Sequence, residues 1–149
     1  MTTQDVAEGV TAWILEATGI SSGYHYMPSQ KDANLPDVVV EVIERRMTRE
    51  DPEFPFSAIQ QRWVRLFVVG ASIMVDNSDP ESAADTLYGY SDVMEAALMA
   101  DGTLGGRVPF VSPYFAFDFS APFVEYHDGT RGREMNMQMS VGELVEAPE

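Results

Sequence analysis

His25 and His127 are the only imidazoles in the chain. Neither stands in a metal-binding pattern such as His-Glu-x-x-His, which sets two ring nitrogens on one helix face. A turn or loop position accounts for each. No Gly-x-Ser-x-Gly elbow is present to expose a serine nucleophile. The absence of cysteine removes thiol catalysis, thiolate metal sites and disulfides together, and it fits a reducing compartment.

Asp76-Asn77-Ser78-Asp79-Pro80-Glu81 has the oxygen density of a calcium loop. However, Pro80 occupies a ligand position, and no glycine follows to make the sharp turn. Helix capping explains the run better, with Asp79 as N-cap and proline at the first helical position. Gly102-Thr103-Leu104-Gly105-Gly106-Arg107 is glycine-rich but lacks the Gly-Lys-Ser/Thr ending of a phosphate loop, so it reads as a flexible connection. Asp118 and Glu125 could pair for acid–base work. Among 24 acidic residues such proximity arises by chance and carries no weight. The residues therefore point to no catalytic centre, no cofactor and no metal, and the chain is expected not to be an enzyme.

The elements that must position these residues follow from periodicity. Val6, Val10, Trp13, Ile14 and Ala17 fall on one face of a helix over about 4–18, with Thr2 and Asp5 as a capping box and Gly19 as the stop. Residues 21–36 read as a connecting loop. Val38–Ile43 is a β-branched strand ending in Glu44-Arg45-Arg46. Residues 47–59 form a second long loop. Gln61–Val75 is the strongest strand; its second half is apolar on both parities, the mark of a central strand covered on both sides. Leu87, Tyr90, Met94, Ala97 and Leu98 set the stripe of a helix over about 80–100, which Asp101-Gly102 ends. In the last third, Phe115, Phe117 and Phe119 alternate with polar or smaller residues, as do Met135, Met137, Met139 and Val141. A hairpin turn around Asp128-Gly129 joins these segments within about 114–145. Pro122 marks a bulge or an edge. One domain over 1–149 is expected, of class α+β: a mixed, mostly antiparallel twisted sheet with two helices packed on it.

Charge is the most informative feature. The formal net charge is −15, which opposes ordinary binding to phosphate backbones. Residues 76–101 hold seven acids (Asp76, Asp79, Glu81, Asp85, Asp92, Glu95, Asp101) and no base. Residues 1–30 hold three acids and no base. The arginines gather elsewhere. Arg45, Arg46, Arg49, Arg62 and Arg65 flank the 47–59 loop, and Arg131 and Arg133 flank the Asp128 turn. Solubility explains part of this asymmetry. The sharper expectation is that acidic faces of one subunit meet arginine-rich edges of the next, head to tail. Phe54 and Phe56 lie between Pro52, Pro55 and these arginines. They serve either as anchors for a neighbour or as rings folded back on their own core. No basic leader precedes an apolar run, and no run of about 18 apolar residues exists, so neither a signal peptide nor a membrane span is expected.

Taken together, the acidic first helix, the pair VVVEVIERR and QRWVRLFVVGAS, the helix DPESAADTLYGYSDVMEAAL and the ending FVEYHDGTRGREMNMQMSVGELVE resemble the tail-terminator proteins of long, flexible-tailed bacteriophages. The resemblance spans almost the whole chain. It implies an α+β subunit of a hexameric ring that caps the tail tube, stops its polymerisation and presents a surface to the head-side connector. It also implies a location in the virion tail after assembly in the host cytoplasm. DNA would pass through the ring without specific binding, and a channel lined with acids would let it slide. Two other readings share this composition: another head–tail connector or neck protein, and an acidic DNA-mimic module.

Overall fold

The computed structural model describes residues 1–26, 35–49, 62–120, 124–125 and 129–146. It confirms the α+β class: a curled, mostly antiparallel sheet of six strands carries two helices. In chain order the elements are α1 (Thr3–Thr18), β1 (Ser22–Tyr24), β2 (Asp37–Arg49), β3 (Arg62–Asp76), α2 (Pro80–Ala100), β4 (Phe110–Asp118), β5 (Val124–Glu125) and β6 (Arg131–Glu146). The strand order is β1-β2-β3-β6-β4, with β5 also beside β6. The β1–β2 pair is parallel, and every other described pair is antiparallel.

The helix ends follow from their caps. Thr2 Oγ1 accepts from Asp5 N–H while the Asp5 carboxylate accepts from Thr2 N–H, closing the capping box. Gly19 ends α1 in the left-handed region at φ 77°, where a Cβ would be strained. Asp79 caps α2 through Ser82 N–H, and Pro80 opens the first turn.

One face of the sheet holds the core. Residues opposite one another in an antiparallel pair share a face. Phe67, Val69, Ala71 and Ile73 on β3 thereby meet Val141, Met139, Met137 and Met135 on β6, all buried. Val6, Val10, Trp13 and Ile14 of α1 and Ala83, Leu87 and Met94 of α2 join the same cluster. α1 packs on β1 and β2 and against α2, while α2 packs over β3 and β6.

The other parity of β3 differs from the sequence expectation. Of Leu66, Val68 and Met74, only Met74 is buried; Leu66 and Val68 are half-exposed, and among the described residues no helix covers these two. This face is partly shielded by its own side chains. The Ile43 side chain lies over Gly70 and the Phe110 ring over Gly142, positions where a Cβ would collide. Glycine is what allows these two groups to lie flat on the strands.

Two further expectations are corrected. The charged run after Ile43 does not end the strand, because β2 continues to Arg49 in register with β3 back to Trp63. Cross-strand pairing outweighs the turn-like look of consecutive charges. The glycine-rich run 102–107 is not a loose connection. The Asp101 carboxylate accepts from Thr103 N–H (2.9 Å), Thr103 Oγ1 (2.5 Å) and Gly105 N–H (3.1 Å), and Leu104 is fully buried at φ 53°. Capping and burial order this loop. Within the expected loop over 21–36, Ser22–Tyr24 forms the short parallel strand β1.

Candidate interaction surface

The candidate site grows from one irregularity in β2. Val42 stands opposite Val69 and Glu44 opposite Val68, so Ile43 is the extra residue of a β-bulge. Because side chains alternate with period two, one inserted residue flips everything after it to the other face. Without it, Glu44 would stand opposite Phe67. With it, Arg45 does. The guanidinium of Arg45 lies 5.6 Å from the Phe67 ring centroid, and its NH1 donates to Thr3 Oγ1 at 3.3 Å. Ile43 is left 66% exposed on the helix-free side.

The sequence-derived candidates converge at this end of the sheet. Met47 pairs with Arg65 and Arg49 with Trp63, so β2 and β3 bring Arg45, Arg46, Arg49, Arg62 and Arg65 onto two adjacent strands. They play different parts. Arg65 is committed to its own chain: its NH1 and the N-terminal amine of Met1 each meet the Glu143 carboxylate at 3.3 Å, with all three groups largely buried. Arg46 pairs with Glu44 at 2.9 Å, both half-exposed. Arg131 lies opposite Glu125 at the far end of the sheet. Arg133 donates to the Pro80 carbonyl at 3.5 Å, beside the start of α2. Phe54, Phe56 and Asp128, together with all of residues 50–61, lie outside the described residues.

Among the described residues the edge of the sheet at β2 is open beyond Val39. β1 pairs with β2 only at Asp37–Val39, and among the described residues no strand neighbours β2 beyond that point on its outer side. Glu44, Arg45, Arg46, Met47 and Thr48 are all exposed. Charged side chains on such an edge oppose strand addition and favour recognition through side chains.

α2 presents the opposite character. Glu81, Asp85, Tyr88, Asp92, Glu95 and Met99 follow the spacing i, i+4, i+7, i+11, i+14 and i+18, which is one side of a helix, and all six are exposed. Met99 is 81% exposed. Tyr88 leans edge-on against Phe119 with 5.1 Å between ring centroids. No ion pair to these four carboxylates occurs among the described residues. On α1, by contrast, Glu16 is held by Arg107 at 2.5 Å and Glu8 lies 3.7 Å from His25.

The helix-free face also carries an open trough of about 410 Å³ lined by Glu41, Gly70, Ser72, Asp118, Asn136 and Gln138. The Ser120 hydroxyl, then its N–H, holds the Asp118 carboxyl below the usual carboxylate range. A carboxylate so stabilised in its charged form is a poor proton donor at neutral pH. Partial burial raises the Tyr90 phenol above its ordinary value. Among the described residues no three metal-ligating side chains converge, and no helix is long and apolar enough to cross a membrane.

The sequence reading missed the Glu143 hub and the bulge. The hub joins residues far apart in the chain, and only the β3–β6 register reveals it. The bulge left one trace, the change of apolar parity between Val42 and Arg45. No family model and no curated protein sequence matches the chain.

Proposed function

We propose that the protein is a structural virion component: a ring-forming tail terminator that caps the tail tube of a long-tailed phage, stops its polymerisation and offers the joining surface for the head. The observation that supports this reading is the polarised surface of a two-helix, one-sheet subunit. The arginines gather at one end of β2 and β3, and carboxylates with no ion pair among the described residues run along α2. Such a subunit suits head-to-tail contacts, which close into rings when the rotation permits. The resemblance of nearly the whole sequence to tail terminators supplies the tube as partner. Its partners on this reading are further copies of itself, the tail tube protein and the head-side connector, with DNA passing through unbound.

The test is to add the purified protein to polymerising tail tube protein and image the tubes by electron microscopy. Tubes with a ring at one end that no longer elongate are expected. Uncapped tubes of unchanged length distribution refute the reading. Binding only to the head-side connector assigns the protein to the neck instead. The carboxylate stripe on α2 also supports a second reading, a DNA-mimic module, which requires a monomer or dimer in tight complex with a basic protein.

A further inference from the structure

We propose that the open trough on the helix-free face of the sheet binds a linear polyamine, with Glu41 and Asp118 taking its terminal ammonium groups. This site is independent of the ring reading and of the surfaces that support it.

Strand register builds the trough. Glu41, Gly70, Gln138 and Ala116 stand in one row across β2, β3, β6 and β4, and Val39, Ser72, Asn136 and Asp118 stand in the next. Both rows lie on the helix-free face, because Ala71 and Met137, between them in sequence, belong to the buried face. Gly70, Ser72 and Ala116 carry small side chains or none, and the space beside them is the trough of about 410 Å³. Ile43, whose side chain lies over Gly70, lines it on the side toward Glu44 and Arg46.

The polar groups here have hydrogen-bonding capacity to offer. Among the described residues the side chains of Glu41, Ser72, Asn136 and Gln138 make no hydrogen bond or ion pair, and Glu41, Asn136 and Gln138 are exposed. The Ser120 hydroxyl and N–H both donate to Oδ1 of Asp118, which leaves Oδ2 for a further donor. Glu134 adds a third carboxylate one row further along β6. Arg46 is the cation closest in register on this face of β2 and β3, and Glu44 neutralises it at 2.9 Å.

These groups select the ligand. Glu41 and Asp118 stand three strand spacings and one two-residue step apart, roughly 16 Å between Cα atoms. One metal ion cannot bridge that span. No arginine or lysine lines the trough, so a phosphate finds no counter-charge. The one ring at its border, Phe117, packs against the core and offers no platform on this face for a base or sugar. An extended aliphatic chain with an ammonium at each end fits instead. Its ends meet the two carboxylates, and its inner nitrogen donates to the side-chain oxygens of Gln138, Asn136 or Ser72. Its methylenes lie over Gly70, Ala116 and Ile43. Extended spermidine has the required length.

The experiment is calorimetric titration of the full chain with spermidine at low salt. One molecule per chain is expected. Glu41→Gln and Asp118→Asn should each weaken binding about tenfold, the loss of one charge-assisted hydrogen bond. Asp92→Asn and Glu95→Gln on α2 remove the same charge elsewhere and should bind as the wild type does. Cobalt(III) hexammine carries the charge of spermidine in compact form and should bind about tenfold more weakly, since it cannot reach both ends. Circular dichroism confirms folding. Glu41 has no partner to lose within the chain, so Glu41→Gln carries the test if Asp118→Asn unfolds. Equal losses in the site and α2 variants overturn the inference, because diffuse attraction to an acidic chain then explains the binding. So does a compact ion that binds as tightly as spermidine, or a wild type that does not bind spermidine. Binding of an oligolysine peptide but not of spermidine also overturns it, and assigns the trough to a basic polypeptide.

Discussion

Arg45 reaches across the strand pair to place its guanidinium 5.6 Å from the Phe67 ring centroid, while the same group donates to Thr3 Oγ1. The contact exists because Ile43 is inserted between Val42 and Glu44. It ties the first turn of α1 to the end of the sheet that carries the arginines. Exposed cation–π contacts contribute about 0.5–1 kcal/mol. Arg45→Ala is therefore expected to lower the stability of the fold by that order, measured as a shift of the denaturant midpoint at unchanged slope. Deleting Ile43 should do more, since it would turn Glu44 onto Phe67 and reverse every later position of β2. A deletion variant as stable as the wild type would contradict the bulge.

Met94 on α2 and Leu104 within the 101–108 loop are both fully buried. Truncation of such a side chain removes its transfer energy and leaves a cavity. Leu104→Ala should cost about 2–5 kcal/mol, comparable to Met94→Ala. Urea unfolding checks it. A loss under about 0.5 kcal/mol at Leu104, the range of an ordinary surface change, would mean that the loop is not part of the core.

The helices were legible because caps and period agreed: Thr2 with Asp5, Asp79 with Pro80, and the stripes through Trp13 and Met94 all stand as read. The sheet was legible in class but not in extent. Glu44-Arg45-Arg46 looks like a turn until β3 supplies its partners, and pairing is a property of two segments rather than one. Apolar residues on both parities of β3 suggest cover on both sides. Of its apolar second parity, Leu66 and Val68 are instead half-exposed on the helix-free side, where Ile43 and Phe110 shield part of the sheet, while Met74 is buried. At the candidate site, sequence located the arginine cluster but not its division of labour. Arg65 is bound to Glu143 through a register that no local pattern encodes, whereas Arg46 remains at the surface.

The Asp101 loop gives a pH dependence with a definite sign. The Thr103 hydroxyl, then the Thr103 and Gly105 N–H groups, hold the Asp101 carboxyl below the usual carboxylate range. The Thr2 N–H and hydroxyl do the same for Asp5, as the Ser120 hydroxyl and N–H do for Asp118. A carboxyl whose folded pKa lies below its unfolded value adds stability that is full above the unfolded pKa and is lost as pH falls through the folded one. Thermal midpoints should therefore hold near neutrality and fall on acidification past the ordinary carboxylate range. Asp101→Asn should flatten part of that fall. An unchanged acid limb in Asp101→Asn would remove Asp101 from the account.

Glu143 is the hub of a largely buried network, accepting from the N-terminal amine and from Arg65 at 3.3 Å each. Arg65 Nε has no hydrogen-bond partner among the described residues, so the guanidinium depends on this carboxylate. Breaking such a pair from one side strands the other charge. Replacing both partners by apolar groups avoids that desolvation cost. Glu143→Leu alone should cost about 1–3 kcal/mol, the penalty for a buried polar group left unmatched. Arg65→Met combined with Glu143→Leu should recover a substantial part of the loss, giving a coupling energy of opposite sign to the single effects. The four-variant cycle in urea measures this directly. Strictly additive effects would show that Arg65 and Glu143 do not act as a pair, and the arginine would then be free to join Arg46 at the surface.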